Sequence, residues 1–148
     1  MDPIAPVLNE ISRILSSGGK FAALINGPMD TAPGYSDVYN LIYKYVQTKL
    51  PNYGEIDLGD PRIKGTKSLK YLVSEAFPDA NVSLENNVVS MVGPVAEVSE
   101  TAAGFFYASF ILPPELRKIM LSNLSNLLSV SKQDGRFAMP ISRLIVKK

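Results

Sequence analysis

The 148-residue chain has neither histidine nor cysteine, and that limits its chemistry before any element is placed. Without imidazole no ordinary side chain titrates near neutral pH, and without thiol there is no sulfur nucleophile. Nitrogen and sulfur metal ligands are missing for the same reason. Acid–base work would fall to carboxylates, lysine or tyrosine. The densest set of hard oxygen ligands is Glu55, Asp57 and Asp60, the donor type that magnesium and calcium prefer. Its spacing departs from the calcium-binding loop pattern of acid, glycine and closing glutamate, so it reads as a solvated acidic loop. No catalytic residue, metal-ligand set or cofactor is expected.

Three other groupings bear on binding. Ser16, Ser17, Gly18, Gly19 and Lys20 resemble a phosphate cradle only in composition. The first glycine of a P-loop is missing and a helix precedes the strand, so the glycines read as a helix C-cap. Arg62, Lys64, Lys67 and Lys70 form a basic stretch with no acid among them, and Arg143, Lys147 and Lys148 form another at the C-terminus. These seven are the candidate nucleic-acid contacts, because cationic side chains neutralise phosphates. Tyr35, Tyr39 and Tyr43, with Phe105, Phe106 and Phe110, are the candidate protein interface, since aromatic rings supply large contact area.

Charge along the chain is sorted although the net is only +1. Residues 1–61 carry four bases and seven acids, and 62–71 carry four bases. Residues 72–115 carry six acids and no base, and 116–148 carry seven bases and one acid. A near-neutral total exerts little long-range pull on nucleic acid, whereas opposed blocks let copies meet with complementary faces.

The elements that must position these groups follow from periodicity. Val7, Leu8, Ile11, Ile14 and Leu15 predict a helix over 6–17, and the run 21–25 predicts a buried strand. Ser36 opens a helix to Leu50, ended by Pro51, with Val38, Leu41, Ile42 and Tyr45 on one stripe and Tyr35, Tyr39, Tyr43 and Val46 on the next. A long loop over 51–65 leads to a helix over 66–77. Val82–Glu85 and Val88–Val92 around Asn86-Asn87 predict a hairpin, as asparagine tolerates the positive φ of a tight turn. Ser99 caps a helix to Leu112, Pro114 begins another to Ser129, and 137–146 is an extended tail that Pro140 confines to an edge.

The expected fold class is therefore α+β and mainly helical: about five helices, a β-hairpin near 82–92 and a C-terminal extended strand. It is read as a single domain over 1–148 with short N- and C-terminal arms. The N-terminus lacks the basic, apolar build of a signal peptide. The longest uncharged run, 101–114, falls short of the about 20 residues a membrane span needs. These features predict a cytoplasmic protein, or one inside an intracellularly assembled particle, with no membrane partner.

Apolar surplus, sorted charge and an empty catalytic inventory favour a non-enzymatic, self-assembling structural protein such as a coat, filament or nucleoprotein subunit, and hence a homo-oligomer. The alternative is a nucleic-acid-binding regulator that uses the basic helix and hairpin in a winged-helix-like order. A small carboxylate-based enzyme is the third reading, and it would need a cleft gathering Glu55, Asp57 and Asp60.

Overall fold

A computed structural model describes residues 4–54, 61–63, 65–130 and 135–148. Their order is α1 (Ile4–Ile14), β1 (Lys20–Asn26), α2 (Tyr35–Gln47), α3 (Thr66–Ala76), β2 (Asn81–Val92), α4 (Val95–Phe105), α5 (Ala108–Ile111), α6 (Pro114–Val130) and β3 (Arg136–Lys147). The class is α+β and mainly helical, as periodicity predicts. The three strands form one antiparallel sheet in the order β1-β3-β2.

The described residues fall into two compact units. The first draws on Met1–Pro28, Asp57–Asn87 and Ile141–Lys148, and the second on Met29–Ile56 and Val88–Pro140. Each has its own core.

In the first unit β1 runs antiparallel to β3, from Lys20 opposite Lys147 to Asn26 opposite Ile141. Directly opposed residues share a face of the sheet. Phe21, Ala23 and Ile25 therefore lie on the same side as Leu144 and Val146, in one apolar cluster with Leu8 of α1 and Leu69, Val73 and Phe77 around α3. Lys20, Ala22 and Leu24 share the opposite, open face with Lys147, Ile145 and Arg143. The period-two burial of β1 is the signature of a sheet covered on one side only.

The second unit is helical. Val38, Ile42 and Val46 recur at four-residue spacing on α2, and Met120, Leu124 and Leu128 do so on α6, and all six are fully buried. Val98, Ala102 and Ala103 of α4 complete the contact, their small side chains letting α4 approach α6 closely. Ser99, buried between them, donates to the Val95 carbonyl and shares a 3.0 Å hydrogen bond with Ser125. A buried hydroxyl must be paired in this way or its desolvation goes uncompensated.

Several expectations are corrected. The predicted hairpin is one continuous twelve-residue strand, β2. Neither Asn86 nor Asn87 has the positive φ that a tight turn requires. Asn86 instead accepts a hydrogen bond from Ser142, and Glu85 pairs with Arg143, so β2 lies extended along β3. Without a hairpin the winged-helix order loses its wing.

The C-terminal tail is the middle strand rather than an edge or an arm. Pro140 is accommodated because β1 pairs only with Ile141–Lys147, leaving the proline beyond the end of that ladder. The N-terminal segment is likewise no arm: α1 begins at Ile4 and packs on α3.

The helix boundaries also shift. Gly34, at φ 73°, rather than Ser36, precedes α2, and α4 starts at Val95 because Ser99 is spent inside the helix. The aromatic helix expected to reach Leu112 breaks at Phe106-Tyr107, which raises the helix number to six among the described residues.

Leu144 is fully buried at the centre of the first unit's core. Leu144→Ala should cost about 2–5 kcal/mol through lost transfer energy and the cavity left behind. A lowered urea midpoint with an unchanged slope is the expected reading, and a midpoint equal to wild type would contradict this core assignment.

Candidate interaction surface

The aromatic residues of α2 and the α4–α5 junction are divided by the fold into a buried stack and an exposed turn. Tyr35 stacks on Phe137, with ring centroids 6.1 Å apart, and tilts against Phe106 at 5.8 Å. Tyr39 stacks on Tyr43 at 5.1 Å and meets Phe106 edge to face at 5.7 Å. Tyr53 closes the row against Tyr43 and donates its hydroxyl hydrogen bond to the Phe106 carbonyl. Helical spacing of four aligns the α2 rings, and offset or edge contact satisfies their quadrupoles. Gly54 has φ 88° and its α-carbon lies against the Tyr43 ring, so no larger residue fits there without moving the ring.

Tyr35 and Phe106 are therefore buried inside their own unit, and Tyr39 and Tyr43 half-buried. The two-sided apolar arc of α2 is explained by this stack. What remains outward is the α4–α5 junction. Phe105 keeps 42%, Tyr107 67% and Phe110 81% of its surface exposed. Phe105 still touches Phe106 and Phe137 by ring edges, anchoring one side of the turn.

Tyr107 has φ 57°, the only positive φ at a non-glycine residue among those described. The left-handed conformation costs an L-residue about 1–2 kcal/mol. The amide of Tyr107 bonds the Gly104 carbonyl, and its own carbonyl accepts from Phe110 and Ile111, so the turn is fixed at both ends. Its result is that Ala108 points into the core while Tyr107 and Phe110 point out. Ser109 between them has a buried hydroxyl without a partner. Sequence periodicity identified the aromatic run, Tyr107 included, but not the left-handed turn at Tyr107, because a left-handed tyrosine has no local signal comparable to a glycine.

The basic candidates are scattered rather than gathered. Lys148 is consumed structurally: its ammonium donates to the Ser12 and Leu15 carbonyls at 2.7 and 2.9 Å, capping the C-terminal end of α1. Arg143 forms an ion pair with Glu85. Arg62 lies in a short 3-10 turn, where its carbonyl accepts from Ser68 at 2.7 Å, and the residue has further partners. It borders a shallow cleft of about 240 Å³ with Leu8 of α1 and Leu72 and Glu75 of α3. Lys67 and Lys70 are exposed on α3, beside Tyr71, whose hydroxyl donates to Glu75 at 2.7 Å. Lys147 is exposed on the open face of the sheet, and Lys64 lies outside the described residues.

The charge blocks meet in part within one chain. Besides Arg143 with Glu85, Arg117 of α6 pairs with Glu100 of α4 at 2.7 Å. Two C-terminal bases thus answer two acids of the 72–115 block without a neighbour. Glu55, Asp57 and Asp60 lie outside the described residues. Among the described residues no three carboxylates gather as a metal site, and no helix is long and apolar enough to cross a membrane. No family model matches the sequence, and no curated protein is significantly similar to it.

Burial raises the phenols of Tyr35, Tyr39 and Tyr53 above their ordinary value of 10.0, with neighbouring tyrosines adding to the shift. A pKa raised in the folded state gives stability that is whole below the unfolded pKa and is lost as pH rises through the folded one. Above pH 10.0 phenolate absorbance of this set should therefore appear together with loss of near-ultraviolet circular dichroism. Full tyrosine ionisation with the dichroism intact would contradict a buried stack.

Proposed function

We propose that the protein is a non-enzymatic structural subunit that self-assembles, using the aromatic turn at the α4–α5 junction as a contact between copies. The observation that carries this reading is the conjunction at that turn: an 81% exposed Phe110, flanked by exposed Tyr107 and Phe105, presented by a left-handed tyrosine. Backbone strain persists only where surrounding structure enforces it, and it concentrates at sites with a task. Exposed aromatic groups that keep solvent-facing area on a fixed turn are typical anchors of an interface.

The apolar surface, more than the charge sorting, supports assembly. The internal ion pairs Arg143–Glu85 and Arg117–Glu100 reduce what opposed blocks can offer a neighbour. A contact of this kind persists at high ionic strength, where exposed charge pairs are screened.

A nucleic-acid-binding reading has less behind it. Lys148 caps a helix, Arg143 is paired, and exposed Lys67 and Lys70 share their helix with Glu75. Few clustered cations means a shallow salt dependence and weak phosphate binding.

Sedimentation across a wide range of protein concentration tests the proposal. Wild type should associate, and 1 M salt should leave the association standing, since that concentration shortens the screening length to about 3 Å. Phe110→Ser should weaken it by about 2 kcal/mol, roughly thirtyfold, while the far-ultraviolet spectrum stays native. A wild-type chain that remains monomeric at every concentration, or a Phe110→Ser chain that associates as well, would sink it.

A further inference from the structure

The sheet ends in two edges that match each other. β1 has the sequence Lys-Phe-Ala-Ala-Leu-Ile-Asn and β2 runs Asn81–Val92, and each occupies an end of the order β1-β3-β2. An edge strand offers unpaired N–H and C=O groups, and proteins ordinarily blunt it with proline, several charges or a bulge. Neither edge here contains proline or glycine, and each carries one charge: Lys20 on β1 and Glu85 on β2. These are opposite in sign.

We infer that β1 of one copy pairs with β2 of a second copy, edge to edge, extending the sheet from molecule to molecule. The inference shares with the proposed function only the identity of the partner, a second copy of this chain.

The polarity fits, because both edge strands run antiparallel to β3 and hence parallel to each other. Copies related by a repeated translation and twist therefore meet as a parallel pair. One register satisfies both charge and apolarity. Setting Lys20 beside Glu85 places Leu24 beside Val89, four residues further along each strand. Side chains alternate along a strand, so these four lie on the open face, where Glu85 already meets Arg143.

Leu24 is 70% and Val89 51% exposed, and pairing covers both. Level pairing without a stagger would instead put Leu24 beside Glu85. Glu85 keeps Arg143 of its own chain on Oε2 and is shared with the incoming Lys20, a weaker contribution than an unpaired carboxylate would make, and it offsets an unfavourable feature of the single chain. Lys20 stands directly opposite Lys147 in the ladder, and like charges so placed repel.

The contact is heterologous: it uses two different surfaces and leaves one of each free. Such an interface closes only if the rotation returns to its start, and otherwise generates an open filament. An isologous β2–β2 contact would stop at two copies.

The test uses the full chain carrying Phe110→Ser, so that the aromatic turn contributes little. Leu24→Glu blocks the β1 edge, and the new carboxylate faces Arg143 across the ladder, which keeps the fold. Val89→Glu blocks the β2 edge. Sedimentation of the parent should show growth with concentration and no preferred endpoint, and each edge variant alone should associate about tenfold more weakly or not at all. An equimolar mixture of the two variants should form a complex of one chain of each and nothing larger, because one intact edge of each kind remains. Native circular dichroism of both variants guards against misfolding.

Edge variants that associate like their parent, a mixture that forms no complex, or a Leu24→Glu chain that dimerises alone would each overturn the inference. A parent monomeric at all concentrations would overturn it too, while leaving the aromatic contact to the comparison of wild type with Phe110→Ser.

Discussion

Both cores depend on β3. Its twelve residues send Phe137 and Ala138 into the helical unit and Leu144 and Val146 into the α/β unit, all buried. Over Ile141–Lys147 it is hydrogen-bonded to β1 on one side, with β2 on the other, so its backbone polar groups there are paired from both directions. A central strand has no unsatisfied ladder to spare, and the alternating burial of 141–147 shows one face of it packed and the other open. The C-terminal residue extends this tie. Lys148 exchanges backbone hydrogen bonds with the Gly18-Gly19 turn and caps α1 with its side chain.

With β3 at the centre, the outer strands carry the exposed surface of the sheet. β1 is half-buried on one face and bare on the other, and β2 is exposed over Glu85–Ser90. The helical unit makes a parallel division among its aromatic residues. Tyr35 and Phe106 are consumed internally, and the turn that follows turns Phe110 out. In both units, then, part of the exposed apolar surface sits where backbone geometry holds it in one orientation: Leu24 and Val89 on the outer strands, and Tyr107 and Phe110 on the turn. Fixed presentation reduces the ordering entropy that association would otherwise cost.

Much of this was legible in the sequence, for reasons that can be located. The 3.6-residue period of Met120, Leu124 and Leu128, and the 35–46 stripes of α2, specify helices whose burial follows directly. The two glycines after α1 and the prolines at 113–114 mark element ends through backbone constraints any sequence expresses. The errors arose where tertiary contacts outweigh local preference. Asn86-Asn87 has a turn-forming composition, yet extension along β3 supplies a partner for Asn86 and for Glu85. Ser99 has a capping type, but the hydroxyl of Ser125 claims it in the interior. Pro140 argues for an edge strand, and only the short reach of β1 reconciles it with a central one. Of the candidate surface, the aromatic run could be read in advance. The basic residues could not be assigned, because whether a lysine meets phosphate or a helix carbonyl depends on contacts remote in sequence.

Amide hydrogen exchange followed as a function of protein concentration separates a β3 paired on both sides from outer strands that, among the described residues, have no strand on their far side. If copies pair edge to edge, amides of 141–147 should be strongly protected at every concentration, whereas part of the β1 and β2 amides should exchange quickly in dilute solution and slow as concentration rises. Outer-strand rates that do not change with concentration, or β3 amides exchanging as fast as those of β1, would contradict this arrangement.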